Sequence, residues 1–385
     1  MKTIIEGSRA IAETIKQCQP QVISAYPITP QTHIVEDLAK FKADGKANYK
    51  YIRAESEFAA ASIVAGASAT GVRTYTATSS QGLLLMAEVL FNIAGMRLPV
   101  VMTCANRAVS APINIWGDQQ DSVTVRDSGW IMLYAENNQE ACDLHIQAFK
   151  IAETVRLPVM INIDGFLITH TYEPVDLPKK NDVIKFVGKY NPKKGTYLDT
   201  KKPISMGCFA PPSCYMGIRE QLQNDLIFSK NVISQTAKEY EEKFKNYDID
   251  KSCPNGIFEE YKTRNAETIL ITMGSVAGTI KDAIDELSKN SKTGLIKLRC
   301  FRPFPDEELI KSLKKAKYIG VIEKCVSLGS EGILAGEIKR AAYGKLKAKI
   351  QSFIAGLGGR DVTKKMVKKI LQETAGKDAG MKFVE

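Results

Sequence analysis

The alternation of short apolar segments with helix-like stretches constrains the fold of this chain more than any other feature of its sequence. Between residues 20 and 165, segments rich in apolar residues alternate with stretches rich in alanine, leucine, glutamate and methionine. The predicted strands are 21–26, 49–54, 72–78, 99–105, 130–135 and 158–164. The predicted helices are an initial one at about 7–18, then 31–43, 57–69, 81–96 and 138–154. Short, nearly continuous apolar strands separated by helices are typical of a parallel sheet covered on both faces, so we predict a doubly wound α/β fold.

A second alternation of strands and helices begins at Thr268, after a long segment interrupted by prolines. Residues 170–255 contain several prolines and Lys-Lys pairs, which indicates an excursion closed by a helix at about 230–246. The elements predicted beyond it are strands at 268–275, 293–300, 318–324 and 350–357, and helices at about 275–289, 306–315, 331–343 and 361–374. The sequence therefore predicts two α/β domains, residues 1–255 with the excursion at 170–255, and residues 256–385.

The composition is that of an ordinary globular protein, with 44% hydrophobic and 25% charged residues in a chain of 385. No stretch approaches 18 consecutive apolar residues, so we expect no transmembrane helix and no membrane partner. Glu6 interrupts the N-terminal segment before an apolar run develops, which is atypical of an export signal. We therefore predict a cytoplasmic protein.

Positive charge is concentrated in the second half of the chain. Residues 1–180 carry 16 lysine and arginine residues against 18 acidic ones, whereas residues 181–385 carry 37 against 25. A basic half can face nucleic acid or an acidic protein. The lysines are scattered or lie on predicted terminal helices without interleaved aromatic residues. We therefore favour a solvated or protein-facing surface and expect no nucleic-acid partner.

Soft metal ligands are few and badly spaced in this sequence. The eight cysteines include no C-x-x-C pair, the nearest two being Cys208 and Cys214, and the histidines are His33, His145 and His170. Iron–sulfur clusters and structural zinc need closely spaced thiolate or imidazole ligands. We therefore expect no metal site on this chain, and thiols that are reduced and mostly buried.

Polar side chains follow four consecutive predicted strands. Thr29 follows the first strand, Glu57 the second, the segment 78–82 (TSSQG) the third and Arg107 the fourth. Ligands of doubly wound sheets bind outside the carboxyl ends of the strands. The sequence therefore predicts a pocket for a small anionic substrate at this edge of the sheet.

Each of these residues also has a simpler explanation. Thr29 could cap a helix that begins at the following proline, and Glu57 could serve the macrodipole of its helix. Arg107 could pair with Asp118 or Asp121. Their occurrence after consecutive strands favours one shared site.

Four segments of the sequence closely resemble one known family. They are AYPITPQT, AESEFAAASIVAGASATG, TATSSQGLLLMAE and NRAVSAPINIWGDQQDSVTVRDSGWI, and the likeness continues through RLPVMINIDGF and LRCFRPFP. The family is that of the α subunits of multisubunit pyruvate:ferredoxin oxidoreductases (pyruvate synthases), within the 2-oxoacid:ferredoxin oxidoreductases. The resemblance implies the pyrimidine-binding domain of a thiamine diphosphate enzyme in residues 1–255, followed by a transketolase C-terminal-like domain in residues 256–385.

The resemblance also assigns roles to the polar residues at the predicted sheet edge. In such enzymes a carboxylate bonded to ring nitrogen N1′ promotes the imino tautomer of the pyrimidine, whose amino-derived nitrogen takes the proton from C2. The family motif matches this catalytic and cofactor-binding carboxylate to Glu57, and not to Glu55. Thr29 matches the threonine that contacts the bound 2-oxoacid, and Arg107 matches the arginine that binds the carboxylate of that substrate.

Two features of the sequence bear on which 2-oxoacid the family member takes. Residues 117–121 (GDQQD) carry Gln119 and Gln120 where we expect a histidine and an acidic, serine or glutamine residue in relatives, which could adjust substrate preference. Thr29 within YPITP argues against an oxalate-type relative. The role of the 117–121 segment stays open between support of the site and an interface.

The family further implies what other chains must supply. No GDG motif of the kind that holds the diphosphate through Mg²⁺ occurs in the sequence, and the cysteine spacing does not fit iron–sulfur clusters. Mg²⁺ and the clusters are therefore expected on the β, γ and δ subunits of a heterotetrameric unit. This chain is expected to be inactive without them.

The leading interpretation is reversible conversion of pyruvate and coenzyme A to acetyl-CoA and CO₂ with reduction of ferredoxin, as in anaerobic metabolism. The same reaction on another 2-oxoacid, such as 2-oxoisovalerate, is the alternative within the family. A non-enzymatic alternative is an α/β assembly module that binds nucleotide or nucleic acid. The glycine-containing turn at 273–278, which follows a predicted strand, is a weak indication of that kind.

Overall fold

Two parallel sheets with helices on both faces make up most of the computed structural model, which describes residues 2–287, 291–376 and 380–385. The strands are β1 (Thr3–Glu6), β2 (Val22–Ala25), β3 (Lys50–Arg53), β4 (Thr74–Thr78), β5 (Val101–Asn106), β6 (Ile131–Tyr134), β7 (Val159–Asp164), β8 (Tyr172–Val175), β9 (Phe258–Tyr261), β10 (Thr268–Thr272), β11 (Thr293–Leu298), β12 (Cys300–Arg302), β13 (Tyr318–Glu323), β14 (Lys349–Ile354) and β15 (Met381–Phe383). The helices are α1 (Gly7–Gln17), α2 (Thr32–Ala43), α3 (Glu57–Ala69), α4 (Ser80–Leu85), α5 (Ala87–Gly95), α6 (Gln120–Thr124), α7 (Asn138–Val155), α8 (Lys180–Val187), α9 (Pro212–Lys243), α10 (Val276–Asp285), α11 (Asp306–Leu313), α12 (Ile333–Ala342) and α13 (Lys364–Thr374).

The first sheet has seven strands in the order β12-β6-β7-β5-β4-β2-β3. Strands β2 to β7 pair in parallel, and every residue of β4, β5, β6 and β7 is buried. Burial on both faces explains why these strands are nearly continuous apolar runs in the sequence. The predicted doubly wound α/β fold is confirmed, and each of the six predicted strands lies within about two residues of its observed bounds.

The helix predictions for residues 1–255 differ from the structure in three ways. The short helices α6 and α8 were not predicted. The stretch predicted as one helix at 81–96 is divided at Met86 into α4 and α5. The helix predicted at 230–246 begins much earlier, because Pro212 occupies the first turn of α9, where proline has no hydrogen bond to lose. The excursion at 170–255 therefore contains this 32-residue helix as its longest element, together with β8 and α8.

The second sheet has the order β15-β14-β13-β10-β11-β9, parallel except for the edge strand β9. Its strands and helices follow the predicted alternation, although the end of the helix predicted at 275–289 lies outside the described residues. Among the described helices, none combines the length and the apolar character that a membrane span requires.

One strand crosses between the two sheets. The strand predicted at 293–300 ends at Leu298 as β11, and the following β12 leaves the second sheet to pair antiparallel with β6 of the first, with Cys300 opposite Leu133. The regions on either side of residue 255 therefore share one sheet. The proposed domain boundary at 255/256 stays a prediction.

Buried charges fix this crossing segment against the start of α7. Lys297, only 1% exposed, lies 2.7 Å from Glu136 and 3.1 Å from Glu140. The Arg299 guanidinium donates to Glu140 at 2.6 Å and also pairs with Asp250. Because an unpaired buried charge costs several kcal/mol, this network holds the two sheets in one arrangement.

Candidate functional site

The carboxyl ends of β5, β4, β2 and β3 lie side by side in the first sheet, in that order. Arg107 and Thr29 lie in the loops after β5 and β2, and Gln81 and Glu57 lie in the first turns of the helices after β4 and β3. The residues that the sequence predicted for one pocket therefore lie along one edge of one sheet. Each is fixed there by a different set of contacts.

Glu57 is the first residue of α3 and is 7% exposed. The preceding Ser56 caps the helix, because its hydroxyl accepts a hydrogen bond from the Ala59 N–H at 3.2 Å. Gly82 in α4 packs directly on this carboxylate: a Cβ at residue 82 would lie 2.6 Å from Glu57 Oε1. Glu55, two residues earlier, is exposed. The structure thus separates a buried carboxylate from a solvated one.

A second oxygen lies beside the same glycine. A Cβ at Gly82 would lie 2.6 Å from Thr78 Oγ1, and this buried hydroxyl has no hydrogen-bond partner among the described residues. A buried hydroxyl without a partner carries a desolvation penalty. Glu57, Thr78 and Gly82 therefore form a small polar recess between α3 and α4, which has hydrogen-bonding capacity to spare.

Arg107 and Thr29 are in direct contact. The Arg107 guanidinium donates to the Thr29 carbonyl oxygen at 2.8 Å, to the Asn114 carbonyl oxygen at 3.2 Å and to Gln81 Oε1 at 3.4 Å. Burial lowers the pKa of Arg107, and the negative charge of Asp121 opposes that shift. The arginine is thus a half-buried cation whose guanidinium joins the Thr29 loop and α4 to its own loop.

Two of the simpler explanations for these residues are wrong. Thr29 does not cap α2, which begins at Thr32 with Gln31 at the cap position. The Arg107 guanidinium bonds to carbonyl and amide oxygens, and Asp121 contacts only the backbone N–H of Arg107, at 3.0 Å. The Thr29 hydroxyl and the Arg107 N–H groups not used in these bonds are thereby left for another partner.

Asp121 joins the loops that carry these residues. It is fully buried and accepts hydrogen bonds from the backbone N–H groups of Ser80 at 2.9 Å, Arg107 at 3.0 Å and Ser122 at 2.7 Å, and from Asn106 Nδ2 at 2.9 Å. Burial raises the pKa of Asp121 to about 6, against these hydrogen bonds, which favour the charged form. This part of the 117–121 segment therefore supports the site.

The rest of the 117–121 segment contacts the second sheet. Gln119 Nε2 donates to Asp164 at 3.2 Å and to the Met273 carbonyl oxygen at 3.4 Å, while Gln120 Oε1 accepts from the Val326 N–H at 3.0 Å. The two roles left open by the sequence are therefore divided within this one segment.

A glycine-rich turn after β14 packs against the loop that contains Arg107. Asn114 Nδ2 donates to the Gly358 carbonyl oxygen at 3.1 Å, and Gly359 N–H donates to the Gly117 carbonyl oxygen at 2.7 Å. A Cβ at Gly359 would lie 2.4 Å from Cβ of Trp116. Sequence reasoning missed Asn114 and this turn, although the GLGG run at 356–359 was a signal of close backbone approach.

Comparison with family models identifies both halves of the chain. Residues 13–238 match the model described as "Pyruvate flavodoxin/ferredoxin oxidoreductase, thiamine diP-bdg", and residues 266–367 match "Pyruvate:ferredoxin oxidoreductase core domain II". The first match alone covers more than half of the chain.

Three individual proteins are also similar. Pyruvate synthase subunit PorA of Methanocaldococcus jannaschii is 50% identical over 372 residues, 96% of this chain and 93% of that protein. Ketoisovalerate oxidoreductase subunit VorA of Pyrococcus horikoshii is 42% identical over 375 residues, 97% of this chain and 93% of that protein. The solved 2-oxoglutarate:ferredoxin oxidoreductase from Magnetococcus marinus has the same fold, with a TM-score of 0.74 at 21% identity over 97% of this chain and 65% of that longer one.

Proposed function

The chain belongs to the pyruvate flavodoxin/ferredoxin oxidoreductase family, and from that premise we propose that it is the α subunit of a pyruvate synthase. In this reaction pyruvate, coenzyme A and two oxidised ferredoxins give acetyl-CoA, CO₂, a proton and two reduced ferredoxins, and the reaction is reversible. The observation that carries the proposal is the buried carboxylate of Glu57, packed against Gly82 at the sheet edge that also holds Thr29 and Arg107.

The residues at this edge fit the pyrimidine half of thiamine diphosphate. Glu57 offers a fixed acceptor for ring nitrogen N1′, and Gly82 leaves the carboxylate uncovered by a side chain. The buried Thr78 hydroxyl offers further hydrogen-bonding capacity. When bound, the cofactor supplies the carbon nucleophile that attacks the keto carbon of the substrate. In this proposal Glu57 shares a proton with N1′.

Substrate binding falls to Arg107 and Thr29 in this proposal. A guanidinium presents several donors in a fixed plane and matches a carboxylate better than a lysine does. Its partial burial strengthens such charge-assisted hydrogen bonds. The contact with the Thr29 carbonyl oxygen orients the fork toward the loop whose hydroxyl would contact the 2-oxoacid.

The remaining parts of the enzyme come from other chains in this proposal. The relatives are named as subunits, which supports a multisubunit complex. We assign Mg²⁺ with the diphosphate, and the iron–sulfur clusters that pass electrons to ferredoxin, to β, γ and δ subunits in the cytoplasm. The sequence features behind this assignment are the lack of a GDG motif and of closely spaced cysteines.

A branched-chain 2-oxoacid is the second candidate substrate. It is favoured by the 42% identity with the ketoisovalerate oxidoreductase subunit over nearly the whole chain. The identity with the pyruvate synthase subunit is higher, at 50%. One or two additional methylene groups change binding by only about 1–3 kcal/mol, so the two substrates are ranked by measurement.

The test is an anaerobic purification of the complex through this chain. The eluate is assayed for bound thiamine diphosphate and for dye reduction that requires both coenzyme A and a 2-oxoacid, with pyruvate compared against 2-oxoisovalerate. We expect kcat/KM to be highest for pyruvate. A higher kcat/KM for 2-oxoisovalerate would make that acid the substrate in place of pyruvate. A purified complex that is inactive with every 2-oxoacid would overturn the proposal.

A further inference from the structure

Glu6, His33 and His170 lie together beside the N-terminal sheet, although they are far apart in sequence. Each offers one ligand atom, and the three atoms all lie within 4.8 Å of one another. The His33 Nδ1 and Glu6 Oε1 atoms are 2.7 Å apart, and the rings of His33 and His170 are 4.7 Å apart between centroids. No step of the proposed reaction uses these residues. Their wide separation in the sequence led us to expect no metal site, whereas the fold brings them together.

The backbone fixes Glu6 beside His170. Strand β1 pairs antiparallel with β8, with Glu6 opposite Tyr172. Gly7 N–H donates to the Thr171 carbonyl oxygen at 3.1 Å, and a Cβ at Gly7 would lie 1.8 Å from the Ile168 carbonyl oxygen. The two segments are therefore in close backbone contact on both sides of the cluster, and the positions of Glu6 and His170 are set before any ion binds.

His33 comes to the same place on the first turn of α2. This helix is joined to α1 by an ion pair between Arg9 and Asp37, with Nη1 and Oδ1 2.5 Å apart. Because α1 follows β1 directly, the position of His33 relative to Glu6 is also set by the fold.

The hydrogen bonding of His170 prepares it for metal binding. Thr169 Oγ1 lies 2.7 Å from His170 Nδ1 and accepts a hydrogen bond from the Phe166 N–H at 2.9 Å. When Nδ1–H donates to this hydroxyl, Nε2 keeps its lone pair for an ion, as in most histidine–metal sites.

We propose that Glu6, His33 and His170 bind a divalent first-row transition metal, with Zn²⁺ as the best match. Two imidazoles and one carboxylate suit zinc, whose bonds of about 2.0–2.2 Å place tetrahedral ligands about 3.3 Å from one another. Because His33 Nδ1 and Glu6 Oε1 are 2.7 Å apart, this pair opens slightly when the ion binds. Three protein ligands leave a fourth position for water or an added ligand.

The site lies next to the loop that carries Thr29. The His170 ring is 4.7 Å from the ring of Phe166, and a Cβ at the adjacent Gly165 would lie 2.7 Å from Cγ of Pro30. An ion bound by the cluster ties the start of α2 to the segment on which the Thr29–Pro30 loop rests. Its role is therefore to fix this loop, and it takes no part in electron transfer.

The experiment measures zinc on the full-length, tag-free chain. Cys208 and Cys214 are exposed and are first changed to serine, so that these thiols do not bind zinc. The protein is loaded with Zn²⁺, desalted, and analysed for metal content and for affinity by chelator competition. We expect one equivalent of zinc, and loss of that equivalent in His33→Gln and in His170→Gln.

Two further variants separate ligation from folding. Thr169→Val is expected to weaken zinc binding by about 10–100-fold and Thr169→Ser to restore it, because only the hydroxyl orients His170. Asp44→Asn at the exposed far end of α2 is the matched control and should keep the full equivalent. Co²⁺ spectra of the parent chain report histidine ligation without any variant.

The result that overturns the site is a parent chain that retains no zinc, or one that retains it equally after either histidine is replaced. Spectra without tetrahedral Co²⁺ bands have the same meaning. None of these measurements depends on turnover, so they stand or fall separately from the proposed pyruvate chemistry.

Discussion

The two parallel sheets of this chain present the same kind of edge and use it in opposite ways. In the N-terminal sheet, the loops after β2 to β5 leave Thr29, Gln81 and Arg107 at least partly exposed. In the C-terminal sheet, the first residues after β10 and β13 pack against the first sheet: Ser275 N–H lies 2.8 Å and Lys324 Nζ 3.2 Å from Asp164. One edge is therefore free for a ligand, and the other is an internal joint.

This difference removes the main support for a nucleotide-binding module. The glycine turn at 273–278 occupies the place where phosphate would bind in many α/β folds. Here a Cβ at Gly274 would lie 2.7 Å from Gln119 Nε2 and 2.9 Å from Asp164 Oδ2. The space outside this strand is filled by side chains of the first sheet. The carboxyl ends of parallel strands can bind a ligand only where no other part of the chain covers them.

The largest effect is expected at the open edge. Glu57→Gln removes the carboxylate of the recess while keeping its size, and should lower kcat of the assembled complex by at least about 10²–10⁴-fold. The measurement is 2-oxoacid-dependent dye reduction, with complex assembly checked by gel filtration. Activity close to that of the native complex would show that Glu57 has no catalytic role.

A substitution at the buried edge of the C-terminal sheet should change the stability of the fold. Asp164→Ala leaves Lys324, which is 4% exposed, buried without its anion and should lower the free energy of unfolding by about 3–5 kcal/mol. Burial acts to raise the pKa of Asp164, yet Lys324 and Ser275 outweigh it and keep the pKa below its ordinary value. Denaturant titration of the isolated chain gives the loss.

The double variant Asp164→Leu with Lys324→Met is the matched control for that loss. It removes both charges together and should recover much of the stability, because an apolar pair leaves no buried charge uncompensated. Equal losses in the single and double variants would mean that packing, and not charge, holds the joint.

Asp121, which joins the segments at the edge of the N-terminal sheet, predicts an unusual pH dependence of stability. Its pKa is about 6 in the folded chain and about 3.8 in the unfolded one, so the folded chain holds this proton to higher pH. The contribution of Asp121 to the free energy of unfolding therefore decreases as pH rises from about 4 to about 6.

Asp121→Asn has no such proton to lose. The difference in the free energy of unfolding between the native chain and this variant should decrease by up to about 3 kcal/mol as pH rises from about 4 to about 6. Denaturant titrations of both chains at several pH values measure the difference. A deficit that stays constant with pH would place the pKa of Asp121 near its unfolded value.

Arg107→Lys should have a smaller effect, confined to binding. Lysine keeps the charge but loses the planar fork that bonds to Thr29, Gln81 and Asn114. Loss of a charge-assisted hydrogen bond of about 1.5–3 kcal/mol should raise KM for pyruvate about 10–100-fold, with kcat changed much less. Arg97→Lys, at the ion pair with Asp225, is the control. An unchanged KM would argue against contact with the substrate carboxylate.

The smallest effect is expected at Glu55. It is exposed, two residues from Glu57, and contributes nothing to the recess beside Gly82. Glu55→Gln should leave kcat and KM close to native in the same assay. A loss equal to that of Glu57→Gln would show that the wrong carboxylate was assigned.

The sequence predicted the buried strands well because their apolar runs report burial on two faces directly. It missed β12, since three residues carry no periodicity and their partner β6 is distant in sequence. It also missed the first half of α9, where Tyr215 and Met216 are exposed and so give no amphipathic pattern.

In the candidate site, too, some features were predicted from the sequence and others were not. Thr29, Glu57 and Arg107 were predicted from local motifs and the family resemblance, and the structure brings them to one edge. The contacts of Gly82 with Glu57 and of Gly358 with Asn114 depend on how distant segments pack. No local pattern encodes those distances, so only coordinates could supply them.

Strand β12, which pairs with β6 of the first sheet, has a consequence for how the protein is made. On the ribosome, β6 is synthesised long before residues 300–302, and its apolar edge has no neighbour until they emerge. Such an edge invites pairing with another nascent chain. The N-terminal sheet is therefore completed late in translation, and a product terminated near residue 255 would lack the strand that covers this edge.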